Sequence, residues 1–214
     1  IIWTSNDKPN KQYKNLGTPA AGDPLCVPHH GRCKHLGFQE APASSPLVQS
    51  DGDLDGDGNL DYKDARWGAL ADIDSDGDLD LFVAHNKYAN HLYLNEGGEF
   101  TRQPLSPFSD VDGDTDISLQ AHWADYDGDG DLDLFVVNAA SKNQLFQNIG
   151  GTFFKTLTGF IADGSTESRA AGFADFDNDG DLDLFVANAA GINSGENSDM
   201  LENSNKGRFT PYIS

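Results

Sequence analysis

The chain has 214 residues, of which 35 are acidic and 14 basic, for a formal charge of −21. That balance argues against nucleic acid or anionic lipid as a direct partner, because both recruit basic patches. No apolar run approaches the ~20 residues of a membrane-spanning helix, so membrane insertion is not expected.

Twenty-four of the acids fall in five clusters, at 53–64, 72–80, 110–116, 125–133 and 175–183. Each cluster is short, and three of them run at once into an apolar stretch. Ordered loops are therefore expected rather than a solvated acidic tail.

In chain order, residues 1–17, IIWTSNDKPNKQYKNLG, resemble LFVVNAASKNQLFQNIG at 134–150. They are expected to form the back half of a repeat unit, beginning where a strand would follow an acidic loop. Met200 is the only methionine and no signal-peptide pattern opens the chain, so a processed chain or an excised segment is expected. Residues 18–50 break the pattern as an insert rich in Pro, Ala, Gly and Ser, and contain CVPHHGRCKH. One reading is a small zinc knuckle from Cys26, His29, His30, Cys33 and His35. The favoured one is a Cys26–Cys33 disulfide, since zinc sites rarely use this spacing and two cysteines in one loop suit an oxidising compartment. No N-x-Ser/Thr sequon occurs, so N-glycosylation is not expected.

The first acidic loop, DLDGDGNLDYKD (53–64), offers Asp53, Asp55, Asp57, Asn59, Asp61 and Asp64 in the manner of an EF-hand or dockerin loop. It stands 19 residues before Asp72, outside the repeat that follows. That repeat comprises DIDSDGDLDLFVAH from Asp72, DYDGDGDLDLFVVN from Asp125 and DFDNDGDLDLFVAN from Asp175, spaced by 53 and 50 residues. Each copy carries Leu70, Trp123 or Phe173 two residues upstream, and a further strand and an Asn/Gly-rich turn downstream. Three units are expected, at 51–105, 106–158 and 159–214, each of four short strands at the spacing of a propeller blade. The strand after the loop is apolar on both faces, with Leu132, Leu134 and Val136 on one and Phe135 and Val137 on the other. Burial between neighbouring sheets follows. Asn95-Glu-Gly-Gly and Asn148-Ile-Gly-Gly are read as hairpin turns supplying positive φ.

The spacing Asp-x-Asp-x-Asp-Gly-x-x-Asp explains the clustered charge. Carboxylates at positions 1, 3 and 5 converge when the backbone curls, glycine at 6 allows the sharp bend, and position 7 offers its carbonyl. Hard oxygen ligands in a flexible loop select Ca²⁺ at about 2.3–2.6 Å over the tighter octahedron of Mg²⁺. Position 9 supplies the last carboxylate, where an EF-hand uses position 12. Three Ca²⁺ sites are expected from the repeat and a fourth at 53–64, with folding coupled to the ion. DVDGDTD (110–116) lacks the glycine at position 6 and reads equally well as a polar turn.

Through these motifs the chain resembles the FG-GAP and VCBS repeat family, the calcium-loop repeats also found in the β-propeller of integrin α chains. The resemblance covers about 1–17 and 65–214. It implies an all-β fold of propeller-like four-stranded antiparallel units, about three and a half of them here, each loop joining two strands of a blade. The implied calcium-site residues are Asp72, Asp74, Asp76, Asp78 and Asp80; Asp125, Asp127, Asp129, Asp131 and Asp133; and Asp175, Asp177, Asp179, Asp181 and Asp183. An extracellular setting and adhesive, glycan-binding or scaffolding roles follow by the same resemblance.

His85, His91 and His122 have no nucleophile with an orienting partner nearby, and no G-x-S-x-G or H-E-x-x-H occurs, so an enzyme is not expected. Trp67 and Trp123 are expected in the core as equivalent positions. Trp3 and the Tyr88–Tyr93 pair are the candidates for a glycan-stacking surface. IIWTS and GRFTPYIS both read as lying inside a blade, and open blade edges invite another chain. The expected function is a non-catalytic extracellular calcium-binding structural or adhesion module, associating head to tail with its own copies as a fibre or ring. The alternatives are a lectin-like glycan- or protein-binding propeller and an accessory domain of a secreted enzyme.

Overall fold

The computed structural model describes the backbone of 2–3, 11–15, 27–29, 32–34 and 38–40, and residues 65–86, 89–103, 107–108, 117–156, 167–189, 198–203 and 208–212. The chain divides into two compact units, Ile1–Tyr62 and Lys63–Ser214. The loops at 53–64 and 110–116 and the side chains of Cys26 and Cys33 lie outside the described residues, as does Tyr88.

In the second unit, β6 (Ala65–Ala71), β7 (Asp80–His85), β8 (His91–Glu96) and β9 (Glu99–Arg102) form the first four-stranded meander. The second comprises β10 (Ser118–Ala124), β11 (Asp133–Asn138), β12 (Gln144–Ile149) and β13 (Thr152–Lys155). The third comprises β14 (Ser168–Ala174), β15 (Asp183–Asn188), β16 (Asp199–Asn203) and β17 (Phe209–Pro211). All pairings are antiparallel, and each acidic loop joins the first strand of a sheet to the second. Glycine does the turning. Gly97, Gly98, Gly150 and Gly151 take positive φ between β8 and β9 and between β12 and β13, whereas Asn95 and Asn148 do not.

The two-faced strand sits between two cores. Leu134, Val136 and Phe146 of the second sheet join Phe82, Ala84 and Leu92 of the first. On its other side, Phe135, Val137 and Leu145 join Leu184, Val186 and Leu201 of the third. Phe108, in the connection between the first two sheets, meets Phe82, Phe146 and Phe153 at ring separations of 5.3, 4.7 and 5.0 Å. Burial on both faces is what an apolar strand without alternation requires. The three sheets stack as blades do, and they do not close a ring.

Polar residues fasten each junction. The β10 and β14 pairings slip by one residue after Ser118 and Ser168, as the β6 pairing does after Ala65. Asn90 accepts from the backbone N–H of His85 (2.9 Å) and donates to Ser118 of the next sheet (3.0 Å), which donates to Asn138 (2.9 Å). Asn143 repeats this with Asn138 N–H (2.9 Å) and Ser168 (2.8 Å), and Ser168 donates to Asn188 (2.8 Å). Ser198 holds the same position in the third sheet, accepting from Asn188 N–H at 3.4 Å. Asn143→Ala should therefore cost about 1–3 kcal/mol in urea melts, by stranding the Asn138 N–H and taking from the buried Ser168 hydroxyl its donor, leaving it only the bond to Asn188. Ser198→Ala should cost less than about 1 kcal/mol.

The register separates the two tryptophans. Trp67 pairs with Ala84 as Gln120 pairs with Val137, whereas Trp123 pairs with Leu134 as Leu70 pairs with Leu81. They are thus not equivalent. Trp123 packs on the core and donates its indole N–H to the Ala69 carbonyl at 3.3 Å, while Trp67 is exposed.

In the first unit, β1 (Ile2–Trp3), β2 (Lys11–Asn15) and β5 (Phe38–Glu40) form one sheet in that order, and β3 (Val27–His29) pairs with β4 (Arg32–Lys34). Its register follows that of the repeat. Ile2↔Gln12 and Trp3↔Lys11 match Phe135↔Leu145 and Val136↔Gln144. Tyr13↔Glu40 and Asn15↔Phe38 match Phe146↔Lys155 and Asn148↔Phe153. The strand β5 thus takes the place of β13, with the β3–β4 hairpin lying between it and β2.

Candidate metal centres

Each acidic loop is set by the strands on either side of it. Gly77, Gly130 and Gly180 at position 6 have φ of 96°, 98° and 98°, a region that other residues enter only with strain. Position 4 is left-handed too, at Ser75, Gly128 and Asn178 (φ 61°, 70° and 63°). Small or amide side chains tolerate that conformation. The carboxylates at position 1 turn back on the loop and accept from the position 6 N–H: Gly77 to Asp72 and Gly130 to Asp125 at 3.1 Å, and Gly180 to Asp175 at 3.2 Å.

Three aspartates per loop converge. Asp72, Asp74 and Asp80 each offer an oxygen such that all lie within 4.8 Å of one another, as do Asp125, Asp127 and Asp133, and Asp175, Asp177 and Asp183. These are positions 1, 3 and 9. Position 5 is not in the groups; Asp76, Asp129 and Asp179 accept instead from the N–H two residues on, at 2.8, 2.9 and 2.9 Å. Position 7 reaches outward in two loops, where Asp78 accepts from Gly97 N–H (2.6 Å) and Asp131 from Gly150 N–H (2.7 Å). Its side chain thereby ties the loop to the neighbouring hairpin. Asp131→Ala should leave ion affinity nearly unchanged while lowering stability by about 1 kcal/mol, read by calcium titration and a denaturant melt of the same variant.

The position 9 carboxylates are buried at the start of β7, β11 and β15. Each is held by two backbone donors. Asp80 accepts from Ile73 (3.0 Å) and Asn95 (2.8 Å), Asp133 from Tyr126 (3.1 Å) and Asn148 (2.8 Å), and Asp183 from Phe176 (2.9 Å) and Asn203 (2.8 Å). The same asparagines return a side-chain N–H to the position 8 carbonyls of Leu79, Leu132 and Leu182. Asn203 also donates to the Tyr126 carbonyl at 2.7 Å, joining the third loop to the second. Sequence reasoning gave Asn95 and Asn148 to the turns and took no separate notice of Asn203. The signal was an Asn placed 15 residues after position 9 in two repeats and 20 in the third.

Burial pushes the Asp133 carboxyl up to about 7, aided by the charges of Asp127 and Asp129 against its two backbone donors. Asp80 is raised for the same leading reason. In the metal-free chain, a folded-state value above the unfolded one makes the proton stabilising. That contribution is complete below the unfolded pKa and is lost as pH rises through about 7. The metal-free chain should accordingly melt at a higher temperature at pH 5.5 than at pH 8. Cation affinity should move the opposite way, because proton and cation compete for one carboxylate.

The donor set fits a hard divalent cation. One observation is independent of the clustering: Asp72 Oδ1 is shut off from solvent and has no hydrogen-bond partner, an arrangement that a cation would satisfy. A family model described as an FG-GAP-like repeat matches residues 72–136 and 125–186, together more than half of the chain. The chain belongs to the FG-GAP-like repeat family. No curated protein matches it. Two of the three loops lead the matched FG-GAP segments, and Asp175–Asp183 falls inside the second. Tyr93 leaves the set of surface aromatics: it is buried on β8, with its hydroxyl 3.2 Å from His91 Nδ1.

Proposed function

We propose that this FG-GAP chain is a non-catalytic, extracellular structural or adhesion module whose repeats are locked by Ca²⁺, and that its copies associate head to tail. The carrying observation is the threefold recurrence of one carboxylate cluster with a buried, doubly anchored position 9 aspartate. Each ion would bind where the first strand of a sheet hands over to the second. It would therefore stiffen the joint between the solvent-facing loop and the core strand. Calcium suits these sites because the loops supply carboxylate and carbonyl oxygens on flexible backbone, without the compact octahedron that Mg²⁺ demands. The residues that distinguish the sequence serve this framework. Among them stand the two buried histidines, His85 and His91, whose rings lie 4.6 Å apart inside the first sheet.

Isothermal titration of the metal-free chain with CaCl₂, in 5 mM MgCl₂, tests the reading. At least three ions should bind per chain, and Asp125→Ala should remove one of them. Stoichiometry below three, or equal displacement by Mg²⁺, would overturn it.

A further inference from the structure

The second and third acidic loops share a connection that the first and second do not. Tyr126, at position 2 of the second loop, stands between two of its converging carboxylates, Asp125 and Asp127. It donates its N–H to the third of them, Asp133, at 3.1 Å. Its carbonyl belongs to the peptide that leads into Asp127, so whatever holds that carbonyl also holds the loop at position 3. The holder comes from the third sheet. Asn203 on β16 donates its side-chain amide to the Tyr126 carbonyl at 2.7 Å and to the Leu182 carbonyl at 3.0 Å, using the two N–H groups that such an amide carries. Its backbone N–H anchors Asp183, the position 9 carboxylate of the third loop, at 2.8 Å. A single hydrogen bond therefore separates the residue that ties the second loop together from the residue that anchors the third.

Ring packing follows the same route. The Tyr126 ring, 5% exposed, lies 5.7 Å from Phe209, which pairs with Asn203 across β16 and β17. Phe209 in turn lies 6.4 Å from Phe173, two residues before Asp175. Between the first and second loops the amide bond is missing. Asn148 holds in the second sheet the place of Asn203, and Ile73 in the first loop that of Tyr126. The Asn148 side chain reaches the Leu132 carbonyl at 3.1 Å and, among the described residues, makes no bond to Ile73.

We infer that the Asn203–Tyr126 bond couples the second and third loops, so that they take up Ca²⁺ cooperatively while the first loop fills independently. The inference rests on the calcium reading above and concerns how those sites influence one another. Once the third loop is loaded, Asp183 is fixed, and with it the main chain and amide of Asn203. Tyr126 then meets a partner already in place, and the second loop loses less conformational freedom when it is loaded in its turn. Coupling of this kind is reciprocal, so each loop raises the affinity of the other by the same factor. Burial makes the bond a firm link: Asn203 is 0% exposed, and a bond broken there strands its buried partner.

Titrating the ¹⁵N-labelled chain with CaCl₂ reads each loop separately. The signals to follow are the amides of Ile73, Tyr126 and Phe176, whose N–H groups donate to the three position 9 carboxylates. The Tyr126 and Phe176 curves should coincide and be steeper than a one-site curve, whereas Ile73 should follow a one-site curve. Asp175→Ala should move the Tyr126 midpoint about fivefold or more to higher Ca²⁺ and leave the Ile73 midpoint in place. Asp125→Ala should move the Phe176 midpoint by the same factor. In an Asn203→Ala chain the Tyr126 midpoint should no longer respond to Asp175→Ala, whereas in an Asn148→Ala chain it should respond in full. One-site curves for Tyr126 and Phe176 in the unmodified chain overturn the inference, a measurement that needs no variant to fold. A Tyr126 shift that survives Asn203→Ala, or an equal shift of Ile73, overturns it too, since the coupling would then run through the packed sheets. Three independent sites would leave the calcium reading standing while the link falls. Amide signals that ignore CaCl₂ altogether would remove the calcium reading, and the link with it.

Discussion

Removing calcium with excess EGTA should lower the melting temperature of the chain by about 20 °C or more, from the linkage of three sites to folding. Free ion at a thousandfold above Kd adds about 4 kcal/mol per site to the folded state. In a chain of this size each kcal/mol moves the melting point by about 2–4 °C. The sign follows from the loops. Without an ion, three carboxylates in each loop lie with oxygens within 4.8 Å of one another, and the chain has only 14 basic residues against 35 acidic ones. Burying Asp80 and Asp133 adds a desolvation cost that backbone donors offset only partly, as the upward shift of both carboxyls shows. A cation reverses both effects at once. Melts followed by circular dichroism at pH 7.5, with EGTA and then with CaCl₂ restored, give the measurement. An unchanged midpoint would remove calcium from the account of this fold.

The loops were legible in the sequence because covalent spacing alone determines them. Alternating aspartates with glycine at position 6 curl in one way, and Gly77, Gly130 and Gly180 show the left-handed φ that this requires. The sandwiched strand was legible for a similar reason: Leu-Phe-Val leaves no polar face for solvent. What stayed hidden depends on pairing register and on contacts between sheets. The aspartates at position 5 stand outside the converging groups, and one oxygen of each braces the loop turn, a second task that a linear motif does not reveal. Asn95 and Asn148 read as turn formers, and Asn203 draws no separate notice. Their anchoring role appears only once β8, β12 and β16 lie beside the strands that begin at position 9. The Asn143–Ser168 bond spans 25 residues between different sheets, which no local pattern encodes. Trp67 and Tyr93 went wrong together, because the direction of a strand side chain changes with every residue and a bulge shifts it again.

Phe135→Ala should cost about 3–5 kcal/mol, the second large effect, whereas Phe185→Ala should cost less than about 1 kcal/mol in the monomer. The two residues share a position in the repeat, a strand sequence and a loop, so the contrast isolates their surroundings. Phe135 is 0% exposed and meets Phe173 edge-on at 6.1 Å, with Leu145 and Leu184 in the same cluster. Truncation there removes apolar surface and leaves a cavity between two sheets that are held apart by their backbones and cannot collapse onto it. The loss is a large share of the ~5–15 kcal/mol that stabilises a typical domain. It should also reach the ion, since Phe135 follows Asp133 by two residues in a strand whose placement fixes that carboxylate between Tyr126 and Asn148. Calcium affinity of the Phe135→Ala chain should fall along with its stability. Phe185 has no such covering in one copy, and its truncation takes away little buried surface. Urea melts in saturating CaCl₂ at micromolar chain concentration, where association is weakest, compare the two. Equal losses would mean that Phe185 is as covered as Phe135 in solution, with the third sheet closed by a neighbour even at low concentration.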